Sequence, residues 1–194
     1  MRGFKATLLV IALAVMPLVF SGVSRADDET IVRWDIINLP PFCPAPGGNS
    51  SARANDNSKI TVTGSGTFKP GDSEEVTGGG TWQTFSPANI PTGSGNYTVR
   101  RLVRWDLAPG TIICSNDPIA GQRSAGLAIL SISYSDGSKG ILVVSCHLTG
   151  TPDSVFEGIT ASKSFVDYWN REAPTAGVNA NRTLFHIQQE NEND

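Results

Sequence analysis

Histidine is almost missing from this chain: His147 and His186 are the only two among 194 residues. The commonest general base and metal ligand therefore has just two sources. His147 directly follows Cys146, and neighbouring side chains of a strand leave by opposite faces, so these two cannot form a thiolate–imidazole dyad with each other. Neither histidine stands at a zinc-site spacing and no C-x-x-C occurs, which excludes zinc-finger and thioredoxin-type chemistry. No G-x-S-x-G elbow exists either. Gly78-Gly79-Gly80 lacks the Gly-Lys-Ser/Thr that completes a phosphate loop and leads into a strand. It reads as a bulge or a close backbone approach within a sheet. No metal and no cofactor is expected.

Basic residues are also few, 15 against 18 acidic, and they are scattered. A nucleic-acid partner calls for a clustered basic patch, so none is expected. After the first 26 residues no apolar run approaches the roughly 20 residues that a bilayer core requires, so no membrane span is expected in the mature chain. Helical periodicity is scarce throughout.

The amino terminus has what the rest lacks. Met1 to Lys5 is a short basic segment, Ala6 to Phe20 is apolar apart from Thr7 and Pro17, and Ser24-Arg25-Ala26 places small residues before acidic Asp27-Asp28. That order is expected of a cleavable secretory signal peptide, 1–26, cut near Ala26, with a secreted (extracellular or periplasmic) product. Its removal takes three basic residues and no acidic one, so the formal net charge moves from −3 to −6. Residues 27–187 are expected to form one all-β domain, followed by a frayed acidic tail, 188–194.

Alternation with a period of two recurs along the chain. Ile60, Val62, Gly64, Gly66 and Phe68 share one face of a segment, and Tyr97, Val99, Val103, Trp105 and Leu107 share one face of another. A hairpin is expected from Leu127–Tyr134 to Ile141–Leu148, with Asp136-Gly137 supplying positive φ at its turn. A second joins Ile60–Phe68 to Val76–Phe85, and a third runs from there through a loop over 86–95 to Tyr97–Leu107. Pro44 to Asn57 reads as a long flexible loop. Val155 to Lys163 reads as a strand, followed by a turn or short helix over Phe165–Asn170. Arg182 to Ile187 reads as a short closing strand. These short strands point to an antiparallel β-sandwich or a partly closed β-barrel of about eight strands.

One internal echo adds detail. Val32-Arg33-Trp34-Asp35 recurs as Val103-Arg104-Trp105-Asp106, and a cysteine follows each aspartate after seven intervening residues, Cys43 and Cys114. The repeat suggests an internal two-fold duplication with Trp34 and Trp105 as buried anchors. Arg33/Asp35 and Arg104/Asp106 should lie on the opposite face, available for cross-strand ion pairs. An exported chain favours a disulfide, and pseudo-equivalent positions favour Cys43–Cys114, with Cys114–Cys146 as the rival pairing. Cys146 alternates with Leu142, Val144 and Leu148, which suits a buried free thiol.

The richest mixture of aromatic and polar residues is Glu157 to Glu172. Glu157, Asp167, Tyr168 and Trp169 are the candidate binding residues there, because aromatic faces stack on apolar rings while carboxylates take hydroxyls. Two functions follow. The first is a secreted, non-catalytic binding or surface-interaction domain for a small molecule, glycan or protein surface. The second is a small secreted lyase, isomerase or hydrolase with Glu157, Asp167 or His186 as acid or base at a barrel mouth.

Overall fold

The computed structural model describes residues 30–39 and 43–189. The expected signal peptide and its cleavage site, and the part of the expected tail beyond Gln189, lie outside the described residues. Among the described residues there is no helix. Thirteen strands follow one another: β1 (Thr30–Leu39), β2 (Ala45–Pro46), β3 (Ser50–Arg53), β4 (Lys59–Val62), β5 (Ser65–Phe68), β6 (Gly79–Phe85), β7 (Pro91–Ala108), β8 (Gln122–Tyr134), β9 (Lys139–Cys146), β10 (Gly158–Lys163), β11 (Val166–Tyr168), β12 (Asn170–Arg171) and β13 (Gly177–Gln189).

Six of them close into an antiparallel barrel. β1 pairs with β5, β5 with β6, β6 with β7, β7 with β8, β8 with β13, and β13 returns to β1. The order around the ring is thus the order along the chain. A half-turn of the ring carries β1 onto β7, β5 onto β8 and β6 onto β13, so the two copies of the four-residue echo occupy opposed strands. Trp34 stands opposite Gly66 on β5, and Trp105 stands opposite Ala128 on β8. A small residue stands opposite the indole in both places. Gly126 makes room for the Trp105 ring, since a Cβ there would collide with it.

The interior of the ring is filled by aromatic side chains. Trp34, Phe68 and Phe185 are fully buried, and Trp105 packs on Phe68 and Phe185 at centroid distances of 5.2 and 4.7 Å. Such ring contacts each add ~0.5–1.5 kcal/mol to the burial itself. Trp105 is not the fully buried anchor that its counterpart is. It stands at the end of the ring, where it lines an open groove with Leu102, Arg104 and the 70–73 turn.

Of the remaining seven strands, β2 pairs with the end of β1 and the other six hang from the ring as two flaps. β9, β10 and β11 continue from β8, and β4, β3 and β12 continue from β6. Their inner faces close on one another through Ile60, Val62, Leu142, Val144, Ile159 and Tyr168, all buried in the single core. This is why strands outnumber the eight expected. It also explains why 44–57 is not a flexible loop: Ala45 belongs to β2, and Ser50, Ser51 and Ala52 are buried in β3 with Ala54 just beyond it. Small side chains there permit close packing rather than disorder.

Other expectations shift in detail. The segment 60–68 breaks at Thr63-Gly64 into β4 and β5, because one half pairs in a flap and the other in the ring. At this crossing Gly64, Gly79 and Gly80 lie so close to neighbouring backbone that a Cβ on any of them would overlap a carbonyl oxygen. The triple glycine is therefore a close approach, and the Tyr97 hydroxyl seals it by donating to the Thr63 carbonyl at 2.7 Å. β7 starts at Pro91, so the loop before it is only a turn over 86–90. The hairpin of β8 and β9 is present, but only Gly137 takes positive φ (86°). Asp136 instead accepts from the amide and hydroxyl of Ser138. Phe165 to Asn170 contains β11 rather than a helix, and β13 extends through Gln189.

The disulfide joins Cys43 to Cys114 with Cα atoms 5.4 Å apart, and Cys146 is free and buried. The charged pairs of the echo form within each strand, two residues apart, rather than across strands. Arg33 donates twice to Asp35 at 2.8 Å, and Arg104 pairs with Asp106. Asp35 is buried while Asp106 is open to solvent.

Candidate functional site

Glu157 immediately precedes β10. One carboxylate oxygen accepts the His147 amide at 2.6 Å and the other accepts the Thr183 amide at 2.7 Å. The side chain thus clasps the end of β9 to the middle of β13, and the residue is only 8% exposed. Burial pushes its carboxyl up to about 7, with the two amides, Arg182 and His147 opposing that rise. Both oxygens already have protein partners, so this carboxylate serves the fold.

Asp167 lies far from it. Asp167 pairs across from Ser162, five residues further along β10 than Glu157. At ~3.3 Å per residue the two are roughly 17 Å apart along the strand. Paired glycosidase carboxylates stand about 5–9.5 Å apart. The structure does not bring them together for that chemistry.

His186 does not join them either. It is fully buried, and its Nε2 lies 3.0 Å from Asp117 Oδ2. Asp117 belongs to the 111–121 segment that carries Cys114, and Arg123 stands 3.5 Å from the same oxygen while also donating to the Cys114 carbonyl at 2.8 Å. Burial alone would raise the Asp117 carboxyl, but His186, the Ile119 amide and Arg123 together hold it below the usual carboxylate range. His186 is opposite Arg33 in the β1–β13 ladder, on the side of the strand away from the Trp34 indole. It therefore helps to fasten the disulfide-linked cover to the outside of the ring and lies at no barrel mouth. Asp117, separated from it by 69 residues, carries no signal in the sequence that would have linked them.

Tyr168 points inward and is buried, whereas Asp167 and Trp169 face solvent. Of the four candidate binding residues, only these last two share a surface. They stand between two grooves. One, of about 180 Å³, is lined by Ile141, Val143, Thr160, Ser162, Asp167 and Trp169. The other, of about 350 Å³, is lined by Asn55, Asp56, Phe165, Val166, Asp167 and Trp169. The first is the outer face of the β9–β10–β11 sheet: Leu142, Ile159, Ala161 and Tyr168 fill the inner face, so the alternate residues point out. Phe165 is fully exposed and Trp169 is 65% exposed. Phe165 escaped sequence reasoning because 165–170 reads as a turn or short helix, although its period-two spacing with Asp167 and Trp169 was a signal that the three share one face.

Lys163, at the end of β10, is turned away from this surface. Its ammonium pairs with Asp136 and sits 4.3 Å over the Trp82 ring and 5.0 Å over the Tyr134 ring. Cys146 lies in the core, where burial raises its thiol well above the ordinary value. Among the described residues no group of three or more histidine, cysteine or carboxylate side chains is placed to hold a metal ion. Among the described residues no helix is long and apolar enough to cross a membrane.

Fold and site together define an all-β protein with a closed six-stranded antiparallel barrel, two flaps and one disulfide. No protein-family model matches the chain, and neither the curated proteins nor the solved structures provide a match.

Proposed function

We propose that this chain is an exported, non-catalytic binding domain whose contact surface is the outer face of the β9–β10–β11 flap around Trp169. The observation that carries the reading is a pair of exposed aromatic rings at the two ends of β11, Phe165 in the turn before it and Trp169 just after it, with Asp167 between them. With Val166 and Ile141 they form a group of exposed apolar side chains on one side of the flap, and grooves that combine such rings with a few polar groups are the usual form of a ligand site. Trp34, Phe68 and Phe185 occupy the ring interior, the position where a barrel enzyme would hold substrate, which supports binding over catalysis. The partners of Glu157 and His186 point the same way, being backbone amides and a cover segment. Export is the context in which the Cys43–Cys114 bond would form and persist.

Thermal denaturation with a panel of sugars and phenolic compounds tests this. At least one class should raise the melting temperature of the wild type and leave that of Trp169→Ala unchanged. Equal effects on both proteins, or none on either, would remove the assignment to this face.

A further inference from the structure

We infer that the occupant of this face is a neutral polysaccharide chain with flat pyranose rings, lying across Trp169 from one groove into the other. The inference rests on the reading of this face as the contact surface and names its ligand.

Three observations carry it. First, the two grooves share Asp167 and Trp169, so they form one trough that runs over the indole rather than two separate pockets. The smaller groove falls below the ~300–1,000 Å³ of a typical small-ligand site and the larger lies at its lower end. Across the β9–β10–β11 flap alone the trough covers two strand spacings, about 10 Å. Such a shape suits an extended chain more than one compact molecule.

Second, the charge is of one sign. The charged groups lining the trough are Asp56 and Asp167. Asp167 makes no hydrogen bond or ion pair among the described residues, and Asp56 uses only Oδ1, for the amide and hydroxyl of Ser58. The hydroxyl bond of Ser58, then its amide, hold the Asp56 carboxyl below its ordinary value, so it stays an acceptor. Of the cations nearby, Lys163 pairs with Asp136, Arg53 with Glu172, and Arg171 lies over the Phe156 ring at 5.2 Å, while Lys139 is exposed two residues before Ile141 on β9 and lines neither groove. A lining of carboxylates, with threonine and serine hydroxyls, takes the donors of sugar hydroxyls and repels an anionic polymer.

Third, the apolar surface of the trough is built around flat rings. Trp169 lines both grooves and Phe165 the larger one, with Val166, Ile141 and Val143 beside them and the hydroxyls of Thr160 and Ser162 among them. A pyranose with equatorial hydroxyls has an apolar C–H face to lie on the ring and a polar edge for the groups between. The paired strands beneath hold that arrangement before the ligand arrives, which lowers the ordering cost of binding.

Affinity electrophoresis of the disulfide-bonded protein through gels cast with hydroxyethylcellulose, glucomannan or galactomannan tests the inference, with polygalacturonate as the anionic polymer. The wild type should be retarded by at least one neutral polymer. Trp169→Ala and Phe165→Ala should each weaken that retardation at least tenfold, and Asp167→Asn severalfold. Their melting temperatures should remain those of the wild type, because the replaced side chains are exposed. Equal retardation by polygalacturonate would overturn the assignment, as would retardation by neutral polymers that survives both aromatic substitutions. Absence of retardation alongside a Trp169-dependent thermal shift with phenolic compounds would overturn the sugar while leaving the contact surface standing. Absence of both would remove the two together.

Discussion

Replacing Glu157 by glutamine removes one buried carboxylate and with it a dependence of stability on pH. The folded protein holds this carboxyl at about 7, against an ordinary value of 4.5. Below about pH 4.5 the group is protonated in both folded and unfolded chains. Between 4.5 and 7 the unfolded chain ionises while the folded one keeps its proton, so stability falls as pH rises. Above 7 both are ionised and the loss is complete. A shift of that size at ~1.4 kcal/mol per pH unit corresponds to about 3 kcal/mol, a large share of the ~5–15 kcal/mol of a typical domain. Urea unfolding followed by tryptophan fluorescence, at several pH values from 4.5 to 8 and constant ionic strength, measures it. Glu157→Gln should be the less stable protein at pH 4.5, because its amide turns a donor toward one of the two backbone N–H groups, a conflict costing ~1–3 kcal/mol. By pH 8 the gap between the two proteins should have closed by about 3 kcal/mol. Taking the difference between them cancels the other titrating groups. Parallel stability curves would refute the reasoning and would mean that the clasp holds its charge without penalty.

Three further outcomes are expected. Cys43→Ser with Cys114→Ser opens a loop of 71 residues; chain entropy sets the cost at about 4 kcal/mol, visible as a lower urea midpoint and reproduced by reductant on the wild type. A thiol reagent at pH 8 should find no reactive cysteine in the native protein and one, Cys146, in denaturant, since that thiol is buried and its ionisation suppressed. The two copies of the echo should respond differently to the same change: Asp35→Ala, which strips a buried carboxylate from Arg33, should cost about 2 kcal/mol, and Asp106→Ala, in an exposed pair, between zero and ~1 kcal/mol, both by equilibrium denaturation.

Much of the fold was legible because its signals were local. Alternation announced the hairpin of β8 and β9, and the same pattern placed Cys146 in the core. The repeated Val-Arg-Trp-Asp led to the disulfide, since strands opposed in a ring place their following cysteines on related paths. What escaped depended on partners remote in sequence. The small residues of β3 resembled a loop because composition does not distinguish flexibility from tight packing. The asymmetry between Trp34 and Trp105, and between Asp35 and Asp106, arises from what covers each strand. Within the candidate site, residue types were readable and distances were not: Glu157 and Asp167 are ten positions apart, yet a strand of extended backbone separates them. His186 suggested a base until Asp117 arrived from the cover segment. Only Asp167 and Trp169 remained on one surface, joined by Phe165.

The ring order carries a consequence for how the molecule comes into being. The seam of the barrel is the ladder between β1 and β13, where Thr30 meets Gln189 and Trp34 meets Phe185. A chain that emerges from its amino terminus shows one open edge of β1 for as long as β13 has not followed, so the barrel cannot shut on a partial product. Such end-to-end pairing is the slowest kind to form, because the full loop entropy is spent before any contact repays it. Under the export proposed above, delayed closure would keep the chain in a threadable state until its last strand arrives.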